Sequence, residues 1–298
     1  MSALAGLYPP ITTPFTHDDR LALAELERNL AHWIASPLDG VVMPGSNSES
    51  VFLTREERLE LWRVCADLLK NSGKRLIAGT GAETTAETIA LTEEAAKLGA
   101  AATLVLPPFF YKAALTPEAL ITHYRAVADA SPIPVLLYNV PAFTGIDFVP
   151  AIFMDLAQHP QIVGVKDSSS NVVKMAGVLA AYPDFQVFAG TGSALLPFMS
   201  LGAVGGIMGL ANVTSEPLRA IVDAFHAGDM ASARRHQLSV AALNEAVTAR
   251  YGVAGLKYAM DRVGIYGGPV RRPLLPLNAA GRADIDRLLA ALGLGVAA

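Results

Sequence analysis

Ile162-Val163-Gly164-Val165-Lys166-Asp167-Ser168-Ser169-Ser170 is the stretch on which the reading of this chain turns. Apolar residues run directly into a lysine, and a polar cluster follows at once. The pattern predicts a short buried strand over 162–165 with Lys166 at its carboxyl end. In parallel α/β proteins that is the end where the loops carrying chemistry gather around a pocket. A lysine there can attack carbonyl carbon once its amine is neutral. Taken alone, the stretch also fits a lysine that ends a strand and snorkels to water.

Outward from it, strand-like and helix-like segments alternate almost without a break. On the amino-terminal side strands are expected over 7–13, 40–43, 75–79, 101–106 and 134–139. Helices separate them, with starts marked by the capping box Thr54-Arg55-Glu56-Glu57, by Thr84-Thr85-Ala86-Glu87, and by Thr116-Pro117-Glu118 with proline in the first turn. On the carboxyl side come a helix over 172–181, strands over 185–189 and 205–208, and helices over 194–201 and 216–225. Eight such units predict a (β/α)8 TIM barrel over residues 1–228. Residues 229–298 read as helices only (231–249, 253–263 and 283–292), a C-terminal helical extension packed on the barrel because no Gly/Ser-rich or Pro-rich linker precedes it.

Composition narrows the function. The 298 residues carry a net charge of −4 and no basic block, so nucleic acid and anionic membranes are not expected partners. The apolar stretches over 201–213 and 288–298 are too short to span a bilayer, and Met1 to Gly6 lacks the basic region of a signal peptide. The single cysteine, Cys65, allows no intrachain disulfide and reads as a buried helical thiol in a reducing compartment. The expectation is a soluble cytoplasmic protein. The histidines (His17, His32, His123, His159, His226 and His236) are scattered without ligand spacing, so no metal is expected.

Further constellations fall at predicted strand ends. Gly45-Ser46-Asn47-Ser48-Glu49-Ser50 can cradle a carboxylate with backbone N–H groups and small hydroxyls, although Ser and Asn also form ordinary turns. Tyr138-Asn139-Val140-Pro141 places a phenol on the strand before the lysine strand, where it could carry protons. Gly190-Thr191-Gly192-Ser193 and Gly205-Gly206-Ile207-Met208-Gly209 permit close backbone approach to a ligand, with Gly190 and Ile207 as candidate substrate-binding positions. No Gly-x-Gly-x-x-Gly fingerprint supports a dinucleotide fold.

In this order the motifs resemble those of the dihydrodipicolinate synthase and N-acetylneuraminate lyase family of class I, Schiff-base aldolases. The likeness runs from Gly6 into the helical tail. Within the family it is to the 4-hydroxy-2-oxoglutarate aldolases, through Leu53-Thr54-x-x-Glu57-Arg58-Leu59, Ser131-Pro-Ile-Pro-Val, Gln158-His-Pro-x-Ile162-Val-Gly, Ala246-Val-Thr-x-Arg250-x-Gly and Tyr266-Gly-Gly-Pro269. The resemblance implies a Schiff base at Lys166, general acid–base work by Tyr138, and carboxylate binding by Ser46 and Asn47. It implies no cofactor, a small 2-oxo acid as substrate, and a homo-oligomer built as a dimer of dimers. The implied activity is cleavage of a 4-hydroxy-2-oxo acid to pyruvate and an aldehyde. Alternatives are a 2-keto-3-deoxy-sugar-acid aldolase or dehydratase, a synthase-type condensation, and an inactive ligand-binding barrel.

Three positions depart from the family pattern. Ser48 stands where the loop usually has glycine. Phe143 stands where the synthase carries an arginine for its second substrate's carboxylate. Phe110 matches a relay tyrosine donated across a subunit interface, with Tyr111 as its neighbour. Three consecutive aromatics, Phe109 to Tyr111, cannot all face inward, so this run is expected at an interface.

Overall fold

A computed structural model describes residues 4–295; the ends of the first and last stretches read above, 1–3 and 296–298, lie outside the described residues. The strands are β1 (Gly6–Tyr8), β2 (Gly40–Met43), β3 (Arg75–Gly79), β4 (Ala102–Val105), β5 (Val135–Asn139), β6 (Ile162–Asp167), β7 (Gln186–Ala189) and β8 (Gly205–Ile207). All pairs are parallel, in the order β1-β8-β7-β6-β5-β4-β3-β2. The barrel is closed across β1 and β2 by backbone bonds rather than a regular ladder. Asp39 N–H donates to Leu7 O, Val42 N–H to Pro9 O, and Ile11 N–H to Val42 O. Pro9 and Pro10 have no N–H to give, and the strand expected over 7–13 is therefore short.

Helices cover the barrel, and their caps follow the sequence. Thr54 Oγ1 accepts from Glu57 N–H at 3.2 Å while Glu57 Oε2 accepts from Thr54 N–H at 2.9 Å, so two unpaired donors at the start of the helix Arg55–Leu69 are met. The last helix, Ala279–Ala291, starts a turn before the expected 283 because the Asn278 side chain accepts from Gly281 N–H. The helix expected over 231–249 is regular only through Met230–Glu245, then widens to a π turn over Ala246–Arg250.

Strand side chains sort to two faces. Val42, Ile77, Leu104, Leu136, Phe188 and Ile207 fill the barrel interior. Their neighbours Val41, Ala78, Leu137, Val165 and Val187 pack outward against helix residues including Trp33, Trp62 and Phe153. Alternation slips once. Val135 pairs with Ile162 and Leu136 with Gly164, which leaves Val163 as an extra residue in β6. The slip sets Lys166 opposite Tyr138 and Asp167 opposite Asn139. Because β6 continues through Asp167, Lys166 is its penultimate residue, one position inside the expected strand end.

Candidate active site

Lys166 and Tyr138 are nearest neighbours across β5 and β6 and share the inner face. Lys166 is 2 % exposed, and its Nζ lies 4.0 Å from the centroid of the Tyr138 ring. Among the described residues no hydrogen bond or ion pair engages that amine, so it is buried yet uncommitted. The Tyr138 hydroxyl is 3.1 Å from Ser46 Oγ. Amine, phenol and serine hydroxyl thus form one chain from β6 through β5 to the loop after β2.

The opposite faces of the same two strands hold a separate polar layer. Asn139 Nδ2 donates to Asp167 at 2.7 Å and to Asp147 at 2.8 Å, and its Oδ1 accepts Phe148 N–H. Ser169 donates to Asp167, and Lys174 pairs with Asp147. Burial raises the Asp167 pKa, while the Asn139 and Ser169 hydrogen bonds pull it down. The acidic residue beside the lysine therefore fixes strand geometry from outside and does not reach the inner face.

The loop after β2 is a tight turn over Ser46–Ser48. Ser48 Oγ accepts Gly45 N–H at 2.7 Å and donates to Ile11 O, so the departure from glycine staples the loop to the chain after β1. Asn47 packs against the loop after β8, where a Cβ on Gly209 would lie 2.0 Å from its Nδ2. Gly190 is required for closeness too: a Cβ there would meet Ser168 Oγ at 2.1 Å. Ile207 is fully buried among interior side chains and does not line the cavity described next.

Ser46, Asn47 and Tyr138 line a cavity of ≈ 540 Å³ at the carboxyl ends of the strands. Its outer part is apolar, with Leu106, Phe109, Val140, Phe143, Val253 and Leu275. The one lysine or arginine on its wall, Arg58, spends its guanidinium on Ser50 O at 2.9 Å and Gly81 O at 3.3 Å. Phe109 belongs to this wall, whereas Phe110 and Tyr111 stack edge to face and point outward, 74 % and 75 % exposed. Among the described residues no group of three His, Cys, Asp or Glu could hold a metal ion, and no helix is long and apolar enough to cross a membrane.

Sequence reasoning missed several residues that hold the site. Gln237 and Asn244, from the helix Met230–Glu245, bond the loop after β7: Asn244 Oδ1 accepts Gly192 N–H at 3.0 Å, and Gln237 Nε2 donates to Gly192 O at 2.7 Å. Glu49 pairs with Lys257 at 2.6 Å, both side chains 1 % exposed. A lysine flanked by Leu256 and Tyr258 was the available cue.

A parallel eight-stranded barrel with a buried, unpaired lysine beside a phenol defines a lyase directed at carbonyl compounds. Residues 3–292 match the dihydrodipicolinate synthetase family. The 4-hydroxy-tetrahydrodipicolinate synthase of Methanococcoides burtonii is 33 % identical over 290 residues, covering 97 % of this chain and 98 % of its own. That of Listeria welshimeri is 34 % identical over 285 residues, covering 95 % and 96 %. The crystal structure of chloride-inhibited dihydrodipicolinate synthase from Acinetobacter baumannii, complexed with pyruvate, superposes with TM-score 0.93 at 29 % identity over 98 % and 100 % of the two chains. The chain belongs to the dihydrodipicolinate synthetase family, whose members are class I, pyruvate-dependent enzymes that form a lysine Schiff base.

Proposed function

We propose that the chain cleaves a 4-hydroxy-2-oxo acid to pyruvate and an aldehyde through an imine at Lys166. The observation that carries this reading is the contact chain Lys166–Tyr138–Ser46, in which Tyr138 and Ser46 line the cavity and Lys166 lies buried behind the Tyr138 ring. The Lys166 amine attacks C2 of the oxo acid and water leaves, giving a protonated imine. That cation is an electron sink two bonds from the C3–C4 bond. Tyr138 gives its proton to the C2 hydroxyl that leaves as water and then, as phenolate, takes the proton from the C4 hydroxyl; the C3–C4 pair flows into an enamine and the aldehyde departs. Protonation at C3 and hydrolysis then release pyruvate and restore the amine. Ser46 and Asn47 supply the donors for the C1 carboxylate, and the cycle balances without a cofactor.

A second reading runs the enamine the other way, in condensation with aspartate semialdehyde. The names of the relatives favour it. The outer cavity opposes it, because Phe143 on its wall offers no cation at the position where the synthases are expected to carry an arginine for the second carboxylate. Pyruvate release over a panel of 4-hydroxy-2-oxo acids, run beside a condensation assay with pyruvate and aspartate semialdehyde, separates the two. Robust condensation with no pyruvate release would overturn the aldolase reading. We further infer a homo-oligomer, a dimer of dimers, in which Phe110 or Tyr111 reaches the neighbouring subunit.

A further inference from the structure

The loop that offers Ser46 and Asn47 ends at a residue whose conformation is unusual for its type. Glu49 has φ 57° and ψ 38°, the left-handed region that favours glycine. Such a backbone costs a non-glycine residue free energy, and the Glu49 carboxylate is engaged by the C-terminal extension. Oε1 pairs with Lys257 Nζ at 2.6 Å, and Oε2 accepts the backbone N–H of Arg271 at 2.7 Å. Lys257 also donates to Pro269 O at 2.7 Å, and its Nζ lies 4.6 Å from the Phe15 ring centroid. The Arg271 guanidinium covers the same ring at 4.2 Å. It donates to Phe52 O at 2.9 Å, to both oxygens of Glu57 at 2.7 and 2.8 Å, and to Asp19 O at 2.8 Å.

Both ends of the segment 49–52 are thus gripped from residues 257 and 271. A buried ion pair is a poor stability device, since apolar residues of the same size often do as well, but it fixes geometry because either partner alone is costly. Burial lowers the pKa of Lys257 and Glu49 opposes that shift. The turn itself also meets the barrel, through Ser48 to Ile11 O and through Ser46 to the Tyr138 hydroxyl.

We propose that Glu49 is a positioning residue, held by Lys257 and Arg271, that sets the place of Ser46 and Asn47 and thereby the affinity for the 2-oxo carboxylate. It acts on binding more than on turnover. The inference rests on the imine reading at Lys166, and its test keeps the two apart.

The readout is borohydride trapping of pyruvate on the full chain, followed by intact mass, with the pyruvate concentration for half-maximal trapping as the measured quantity. In the double variant Glu49→Gln/Lys257→Met both buried charges are gone. Half-saturation and the KM of the cleaved oxo acid should rise about tenfold, the equivalent of one well-placed hydrogen bond, while maximal trapping and kcat change little. A folded double variant with wild-type half-saturation overturns the proposal, as does a fall in kcat at unchanged half-saturation. Glu57→Gln weakens the same network from its part-buried end and decides the matter should the double variant not fold: raised half-saturation supports the proposal, unchanged half-saturation overturns it. Absence of trapped mass on Lys166 in the wild-type chain would instead refute the imine reading.

Discussion

Replacing Tyr138 by Phe removes one oxygen and little else. The ring stays, so the 4.0 Å contact with Lys166 Nζ is kept, and the side chain is only 4 % exposed. What is lost is the 3.1 Å bond to Ser46 Oγ. If that bond served only to orient Ser46, its loss would cost about 0.5–1.5 kcal/mol, roughly a 2- to 13-fold slowing. If the phenol moves the C4 hydroxyl proton, the loss is about 10²–10⁴-fold, or roughly 2.7–5.4 kcal/mol. The two ranges do not overlap, so the size of the effect assigns the role. Steady-state pyruvate release gives the size, and borohydride trapping with pyruvate shows that imine formation survives. We expect a fall of at least about a hundredfold with trapping intact. A fall below about tenfold would leave Tyr138 as an orienting group and refute its acid–base role.

Lys166→Ala should abolish trapping and turnover while thermal unfolding stays close to wild type; label on Lys174 or Lys257 in the wild-type chain would overturn the assignment. Phe110→Asp should shift the solution mass, measured by sedimentation, toward monomer and lower activity with it; an unchanged mass would free the aromatic run from any interface. His123 is buried, with Nδ1 3.0 Å from Thr85 Oγ1, and burial lowers its pKa to about 4. The unfolded chain binds that proton near 6.5, so this histidine's stabilising contribution is full above that pH and is lost as pH falls towards about 4, on the order of 3 kcal/mol in all. Urea midpoints against pH should therefore fall more steeply for wild type than for His123→Gln, and parallel curves would exclude the effect.

The alternation of segments was legible because parallel strands buried on both faces read as short apolar runs, and because Thr54, Thr84 and Thr116 announce helices through their own side-chain bonds. Lys166 and Tyr138 were legible as strand-end residues on consecutive strands. Their register was not. Simple alternation from Val135 and Ile162 would pair Lys166 with Asn139, and only the extra residue Val163 brings it opposite Tyr138. Register depends on which backbone groups find partners, and a bulge leaves no composition signature. The role of Lys257 was hard to read for a different reason, despite its apolar neighbours Leu256 and Tyr258. A lysine in an amphipathic helix reads as solvent-facing, and its partner Glu49 lies far along the chain. Ser48 read only as a departure from the family's glycine, yet its hydroxyl ties the turn to Ile11.

The grip of the extension on the barrel also orders events in time. Synthesis delivers Ser46 and Asn47 early, whereas the bond from Arg271 to Glu49 spans 222 residues and that from Arg271 to Asp19 spans 252. The amides of Gln237 and Asn244 reach the loop after β7 from a similarly late segment. All eight strands therefore leave the ribosome before the residues that anchor the loops after β2 and β7. If those loops hold the substrate, binding should be the last property the chain acquires, and C-terminal trimming should remove it first, measurable as lost pyruvate trapping.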